Sequence, residues 1–345
     1  MDYGVYGQYI LDETAALLAV DSPSGMTAQA AEHVIARFAA LGYEAQRTRK
    51  DGVFVSLGGR NQSDAILLEA HMDTLGGMVC EIKKNGRLRI TPVGGLSAAN
   101  VETENCRVIT KFGGALEGTA QLVDASIHVN GKYKETERTF DTIEIVLDEM
   151  VESAEDVKKF GVRVGDYVCF EPRTRVTKSG YIKSRFLDDK LSVGIVLAYA
   201  KYLREEGVVP ERAVYVHVTS FEEVGHGGST NVPDGVTEAI SVDMGCVGEG
   251  LDCDERMVSI CAKDSGGPYN YDVVKGLIAA AEKMGALYAV DVYPHYSSDV
   301  NVTVRSGHDV RHGLIGAGVY ASHGYERSHV DGALATLKVL IGYIG

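Results

Sequence analysis

The sequence predicts an α/β protein: a three-layer α/β domain split into residues 1–74 and 181–345, interrupted by a β-rich domain at 75–180. Three observations predict it. Apolar runs of strand length alternate with amphipathic helical stretches in both outer segments. Between them the texture changes to short alternating runs separated by Gly and polar turns. The chain has 345 residues, of which 45% are hydrophobic and 24% charged, enough for two domains with substantial cores.

The elements follow in order. Residues 26–41 (MTAQAAEHVIARFAAL) carry apolar residues at helical spacing and meet Gly42, a helix stop signal. Residues 65–70 (AILLEA) form a continuous apolar run, as expected of a strand buried on both faces. From Leu75 to Gly180 the runs MVCEI, RLRITPV, CRVITKF, QLVDASIHV, TIEIVL and DYVCF read as strands. A short helix is predicted at Ala154–Phe160 with Ser153 as N-cap. Beyond Gly180 a helix is predicted at Asp189–Glu206, with strands at 213–220, 239–244 and 257–262. A helix at Tyr271–Met284, a strand at ALYAVDV, a strand at Gly313–Tyr320 and a helix at Val330–Ile344 complete the pattern, which predicts a largely parallel sheet.

Bulk properties narrow the function classes. A net charge of -14 argues against nucleic acid or an anionic membrane as partner. None of the six cysteines (Cys80, Cys106, Cys169, Cys246, Cys253, Cys261) forms a Cys-x-x-Cys pair, so they read as small buried residues. No apolar run approaches 18 residues, and the N-terminus carries acids where a secretory signal would be basic and then apolar. The expected compartment is the cytoplasm.

Open α/β sheets bind ligands beyond the C-terminal ends of their strands. At those ends or at a helix start the sequence carries four groups of metal-ligating residue types, with His323 in addition near the C-terminus. His71 and Asp73 follow AILLEA; a carboxylate beside a ligating imidazole fixes its tautomer. On its own the pair also reads as a surface His beside a turn Asp. Asp188 and Asp189 open a helix, where an acid either caps the N-terminus or bridges two cations. Glu222 and Glu223 follow AVYVHVTS; a cation would relieve one charge and leave the other to act as a base, whereas an exposed acidic turn needs neither. Asp243 follows AISV and His323 follows LIGAGVYAS, both common as ordinary turn residues. Each group alone is weak, and their conjunction in one α/β pattern is the signal.

That conjunction resembles the glutamyl aminopeptidase and tetrahedral aminopeptidase family of dinuclear-metal peptidases. The likeness runs through His71-Met-Asp73, Leu187-Asp188-Asp189-Lys190, Glu222-Glu223-Val-Gly and Asp243-Met-Gly, and through VGGLSAANVETENCRV and SAEDVKKFGVRVGDYVCF of the β-rich region. It implies a three-layer α/β zinc-peptidase catalytic domain with a small inserted β-barrel dimerisation domain. It implies two divalent ions per subunit, zinc or cobalt: His71 and Asp243 on one, Glu223 and His323 on the other, and Asp188 bridging. Glu222 would be the general base and Asp73 would orient His71. Peptides with a free N-terminus would be the substrates, and dimers would build a dodecamer. Phe221 stands where the family has a small or polar residue, His226-Gly-Gly-Ser replaces a Leu-Arg-Gly stretch, and His323 is followed by GYER. Two rivals are a hydrolase of acyl-amino acids or other small amides, and a non-catalytic assembly protein of the same fold.

Overall fold

The computed structural model describes residues 4–345. The chain folds into two compact units, one formed by the segment up to Thr74 together with Arg173–Gly345, the other by Leu75–Pro172.

The first unit begins with α1 (Gly4–Leu18), α2 (Ala28–Ala40), β1 (Ala45–Arg47), β2 (Val53–Gly58) and β3 (Asn61–His71). The last seven residues of β3, Ala65–His71, are buried. They contain the apolar run visible in the sequence; the preceding Asn-Gln-Ser-Asp is polar and largely exposed, so periodicity could not reveal it.

The second unit holds β4 (Gly76–Ile82), β5 (Leu88–Val93), β6 (Asn105–Ile109), β7 (Ala115–Leu122), β8 (Ile143–Leu147), α3 (Ala154–Lys159) and β9 (Tyr167–Phe170). Its six strands close into a barrel in the order β4-β5-β8-β7-β6-β9, every pair antiparallel. Closure removes free strand edges. Inward residues such as Ile90, Val108, Ala120, Ile145 and Val168 fill the interior. Ser153 caps α3 by accepting the Asp156 N–H, as its position suggested. The expected strand QLVDASIHV is different. Pairing ends at Leu122 because Asp124 turns the chain with φ of 55°, and the strand instead extends back to Ala115.

The first unit resumes with β10 (Arg175–Val176), β11 (Tyr181–Ser184), α4 (Leu187–Glu205), β12 (Arg212–Thr219), β13 (Val236–Val242), β14 (Gly245–Val247) and β15 (Val258–Asp264). It ends with β16 (Gly267–Pro268), α5 (Tyr271–Met284), β17 (Tyr288–Val292), α6 (Asp299–Arg305), β18 (Arg311–Tyr320), β19 (Glu326–His329) and α7 (Val330–Ile344). The β-rich unit stops at Pro172 rather than Gly180 because β10 pairs with β11, which continues onto β19.

Thirteen strands form one sheet. Its centre, β12-β3-β13-β18, is parallel, whereas β2 pairs antiparallel with β12, and β15 and β19 pair antiparallel with β18; β15 in turn pairs parallel with β17. The expectation of a largely parallel sheet holds for the centre, while the flanks mix parallel and antiparallel pairs. α4 and α7 pack on one side, where Leu68, Ile240 and Ile315 are fully buried. On the other side Leu67, Ala239 and Leu314 pack with Val300 of α6. α5 begins and ends by local chemistry: Asn270 accepts the N–H groups of Asp272 and Val273, and Gly285 closes the helix at φ of 59°. The C-terminal ends of the four parallel strands all open on the same edge, where the predicted site residues lie.

Candidate active site

β3 ends in His71, 2% exposed, with Asp73 two residues on and fully buried. The nearest acceptor to His71 Nδ1 is the backbone oxygen of Asp73 at 3.0 Å; the Asp73 carboxylate is 3.6 Å away. That carboxylate is engaged elsewhere. It accepts the N–H groups of Glu222 (3.1 Å) and Glu223 (3.3 Å) and the Ser24 hydroxyl. Asp73 therefore meets the imidazole through its main chain and the Glu-Glu loop through its side chain. A ring N–H donated to the Asp73 carbonyl leaves the Nε2 lone pair available to a cation.

α4 does not begin as an ordinary capped helix. Its N-cap, Phe186, is left-handed with no side-chain cap, and Asp188 and Asp189 are non-helical about a cis peptide bond. Neither acid caps the helix. Asp188 points one oxygen at each histidine: Oδ1 is 3.1 Å from His71 Nε2 and Oδ2 is 3.5 Å from His323 Nε2. Asp189 accepts the backbone N–H of His71 through Oδ2 (3.2 Å), while its Oδ1 is buried without a partner.

β12 delivers Glu222 and Glu223 through a sharp turn at Phe221, whose φ is 67°. Glu222 lies 3.7 Å from His71 Nε2, and Glu223 lies 3.5 Å from His323 Nε2. Asp243 follows β13, held by the Ser298 hydroxyl and the Met244 N–H. The structure thus gathers His71, Asp73, Asp188, Glu222, Glu223, Asp243 and His323 at one edge of the sheet. Two groups of ligand atoms lie within 4.8 Å of one another: His71, Asp189 and Asp243, and His71, Asp188 and Glu223.

Electrostatics within this cluster are unfavourable for the polypeptide alone. Burial, with Asp299, Asp243 and Asp188 nearby, pushes Glu222 well above the usual carboxylate range. Burial and Asp188 do the same to Glu223, and raise Asp243 to about 6. Asp188 is the exception: burial opposes its ionisation, but hydrogen bonds to His323 and His71 hold its carboxyl well below the usual value. Carboxylates that raise one another's pKa in a low-dielectric pocket are a set a divalent cation would relieve. The unpartnered Asp189 oxygen points the same way, and the mixture of imidazole and carboxylate donors suits borderline divalent metals. The residues present therefore fit a metal centre.

Three supporting residues are not apparent as such from the sequence. Glu326, 2% exposed, accepts the backbone N–H of both Asp188 (3.0 Å) and His323 (2.9 Å), clamping two distant segments together. Asp299, also 2% exposed, accepts the Thr219 hydroxyl at the end of β12 and the Gly228 N–H (2.6 Å). It thereby closes the loop bearing both glutamates. A Cβ on Gly227 would collide with Asp299 Oδ1, which is why this loop needs glycine. Asp189 is the third; only its pairing with Asp188 hints at a role. Asp299 and Glu326 carry no local signal.

A cavity of about 410 Å³ opens on the cluster. Asp188, Glu222, Glu223, Asp243 and His323 line one part of it. Phe221 and His226, which depart from the expected pattern, stack on each other 4.8 Å apart, with Lys50 above the Phe221 ring. They pack the loop and are not among the lining residues.

The chain has clear relatives among known proteins. The sequence pattern of the M42 glutamyl aminopeptidase family matches residues 51–339. The putative aminopeptidase YhfE of Bacillus subtilis (strain 168) is 40% identical over 328 residues, covering 95% of each chain. The glutamyl aminopeptidase of Lactococcus lactis subsp. cremoris is 26% identical over 64% of this chain and 61% of its own. Among solved structures, the TET1 peptidase of Pyrococcus horikoshii superposes with a TM-score of 0.82 at 21% identity, covering 96% of this chain and 98% of its own. That likeness concerns the fold. The family pattern covers most of the chain and YhfE is 40% identical over nearly all of it, so the chain belongs to the M42 glutamyl aminopeptidase family and is a peptidase that hydrolyses N-terminal residues from peptides.

Proposed function

We propose that this aminopeptidase works through two divalent cations, zinc or cobalt, held by His71 and Asp243 on one side, Glu223 and His323 on the other, and Asp188 between them. The observation that carries the reading is Asp188, whose two oxygens face two histidines supplied by different strand ends. Asp189, within ligand distance of His71 and Asp243, would support the first position. When bound, such cations polarise a scissile carbonyl and lower the pKa of water toward neutrality.

The chain's own groups supply the remaining steps. Glu222, largely buried beside His71, takes the proton of the attacking water and returns it to the leaving amine. Asp73 fixes Glu222 by accepting its backbone N–H, so the base has little freedom to swing away. The carboxylates of the site attract the cationic α-amine of the substrate, which favours cleavage at a free N-terminus over hydrolysis of acyl-amino acids. Glu222→Gln keeps shape and polarity and removes the base. We expect it to retain bound metal by elemental analysis and to lose at least about a hundredfold in kcat. Near-normal turnover would remove Glu222 from this role.

Residues 75–172 act in our reading as a dimerisation unit, and dimers build a dodecamer. Exposed apolar side chains on that unit, among them Phe112, Val129, Met150 and Val164, support an interface. The TET1 peptidase is described as assembling into a tetrahedron or a large octahedral shell. Sedimentation velocity of the purified protein checks this: a single species of monomer mass would end the assembly proposal. We place the enzyme in the cytoplasm, in keeping with six cysteines that form no disulfide.

A further inference from the structure

We infer that the residue removed by this enzyme carries an uncharged apolar side chain of the leucine or methionine class. The inference rests on the aminopeptidase reading above and concerns the part of the cavity that the metal cluster does not form. That part is lined by Met244, Cys246, Tyr296 and Val302, with Ser297 and the exposed His295 beside them.

The four core residues present carbon and sulfur rather than charge. Tyr296 is held at both ends. Its ring packs edge-on against buried Tyr293, with centroids 5.0 Å apart, and its hydroxyl donates to the Met244 carbonyl at 3.1 Å. The phenol's donor is thus engaged by the chain, and the ring is left as an apolar surface. Val302 extends from α6, and Cys246 adds a small hydrophobe from β14. Among the described residues lining the cavity there is no Lys or Arg to pair with an acidic side chain. The lining carboxylates Asp188, Glu222, Glu223 and Asp243 belong to the catalytic cluster and offer a glutamate side chain no counter-charge. A lysine ammonium would have to be desolvated against Tyr296, Val302 and Met244 or compete with the cations for the cluster. An apolar side chain meets neither obstacle, and pockets of this kind set orientation with few polar groups and affinity with apolar walls.

The test compares kcat/KM for the p-nitroanilides of Leu, Met, Glu and Lys, using the intact enzyme supplemented with zinc or cobalt. Leu or Met should exceed both Glu and Lys by at least about tenfold. A preference for Glu or Lys overturns this inference and leaves the aminopeptidase reading standing. Cleavage of none of the four, nor of an unblocked peptide mixture, overturns both. Val302→Asp places a carboxylate in the apolar wall and should raise the Lys-to-Leu ratio by about tenfold or more. If melting shows that variant unfolded, Val302→Asn serves instead, with an expected loss of about tenfold for Leu. An unchanged ranking in the folded variant removes Val302 from the specificity wall.

Discussion

The barrel and the active-site edge of the sheet unit bury acids in opposite ways. In the barrel, Glu144 is 3% exposed and meets Lys83 at 2.7 Å and Arg87 at 3.3 Å. Asp166, fully buried, accepts the backbone N–H of Lys111 and Arg163. Each of these buried charges has its partner within the polypeptide. In the sheet unit, Asp188 faces histidines, Asp189 keeps one oxygen unpartnered, and Glu222, Glu223 and Asp243 crowd together. Two buried carboxylates with protein partners make a scaffold. Several converging acids with few protein counter-charges make a site suited to a cation.

Chelation tests the contrast most severely. Removing divalent ions should lower activity by at least about a hundredfold, with recovery on adding zinc or cobalt. The barrel, whose acids are internally balanced, should keep its secondary structure by circular dichroism. Full activity after exhaustive chelation, verified by elemental analysis, would break the comparison.

A smaller effect is expected at Asp299, which belongs to the sheet unit yet is satisfied by Thr219 and Gly228. Asp299→Ala frees the loop carrying Glu222 and Glu223 and should cost about ten- to a hundredfold in kcat, with less effect on KM. Asp299→Asn retains an oxygen for the Gly228 N–H and should recover part of the loss. Equal damage from both substitutions would mean that the loop clasp is not what Asp299 contributes.

The smallest effect is a pH dependence of stability. His217 on β12 is buried with Nδ1 unpartnered, and burial, helped by Lys50, holds its pKa down at about 4. An unfolded histidine titrates near about 6.5, so the unfolded state binds the proton first as pH falls. The contribution of neutral His217 is complete above about pH 6.5 and is lost as pH drops toward 4, up to about 3 kcal/mol. Urea midpoints between pH 7 and 5 should fall less in His217→Phe than in the parent. Parallel pH curves for the two proteins would locate the acid sensitivity elsewhere.

Much of this architecture is legible in the residues themselves. The helix at 271–284 and the helix at 330–344 stand where the residue pattern put them, because that signal is local. The pairs His71/Asp73 and Glu222/Glu223 are visible at strand ends for the same reason. Less is legible where structure depends on distant partners. The antiparallel pairs at the flanks of the sheet leave no trace in the spacing, since strand direction is set by pairing. The turn at Asp124 interrupts an alternation that reads as continuous strand.

The sequence by itself determined several central strands and helices, the barrel's alternating pattern and the residue types that chemistry at this edge requires, because each is written in spacings of a few residues. Only the tertiary structure decided that Asp188 would face His71 from 117 positions away, that Glu326 would clamp Asp188 to His323, and that Asp299 would clasp the glutamate loop. Those contacts join segments that are remote along the chain, and their strength comes from burial that exists only once the sheet has assembled.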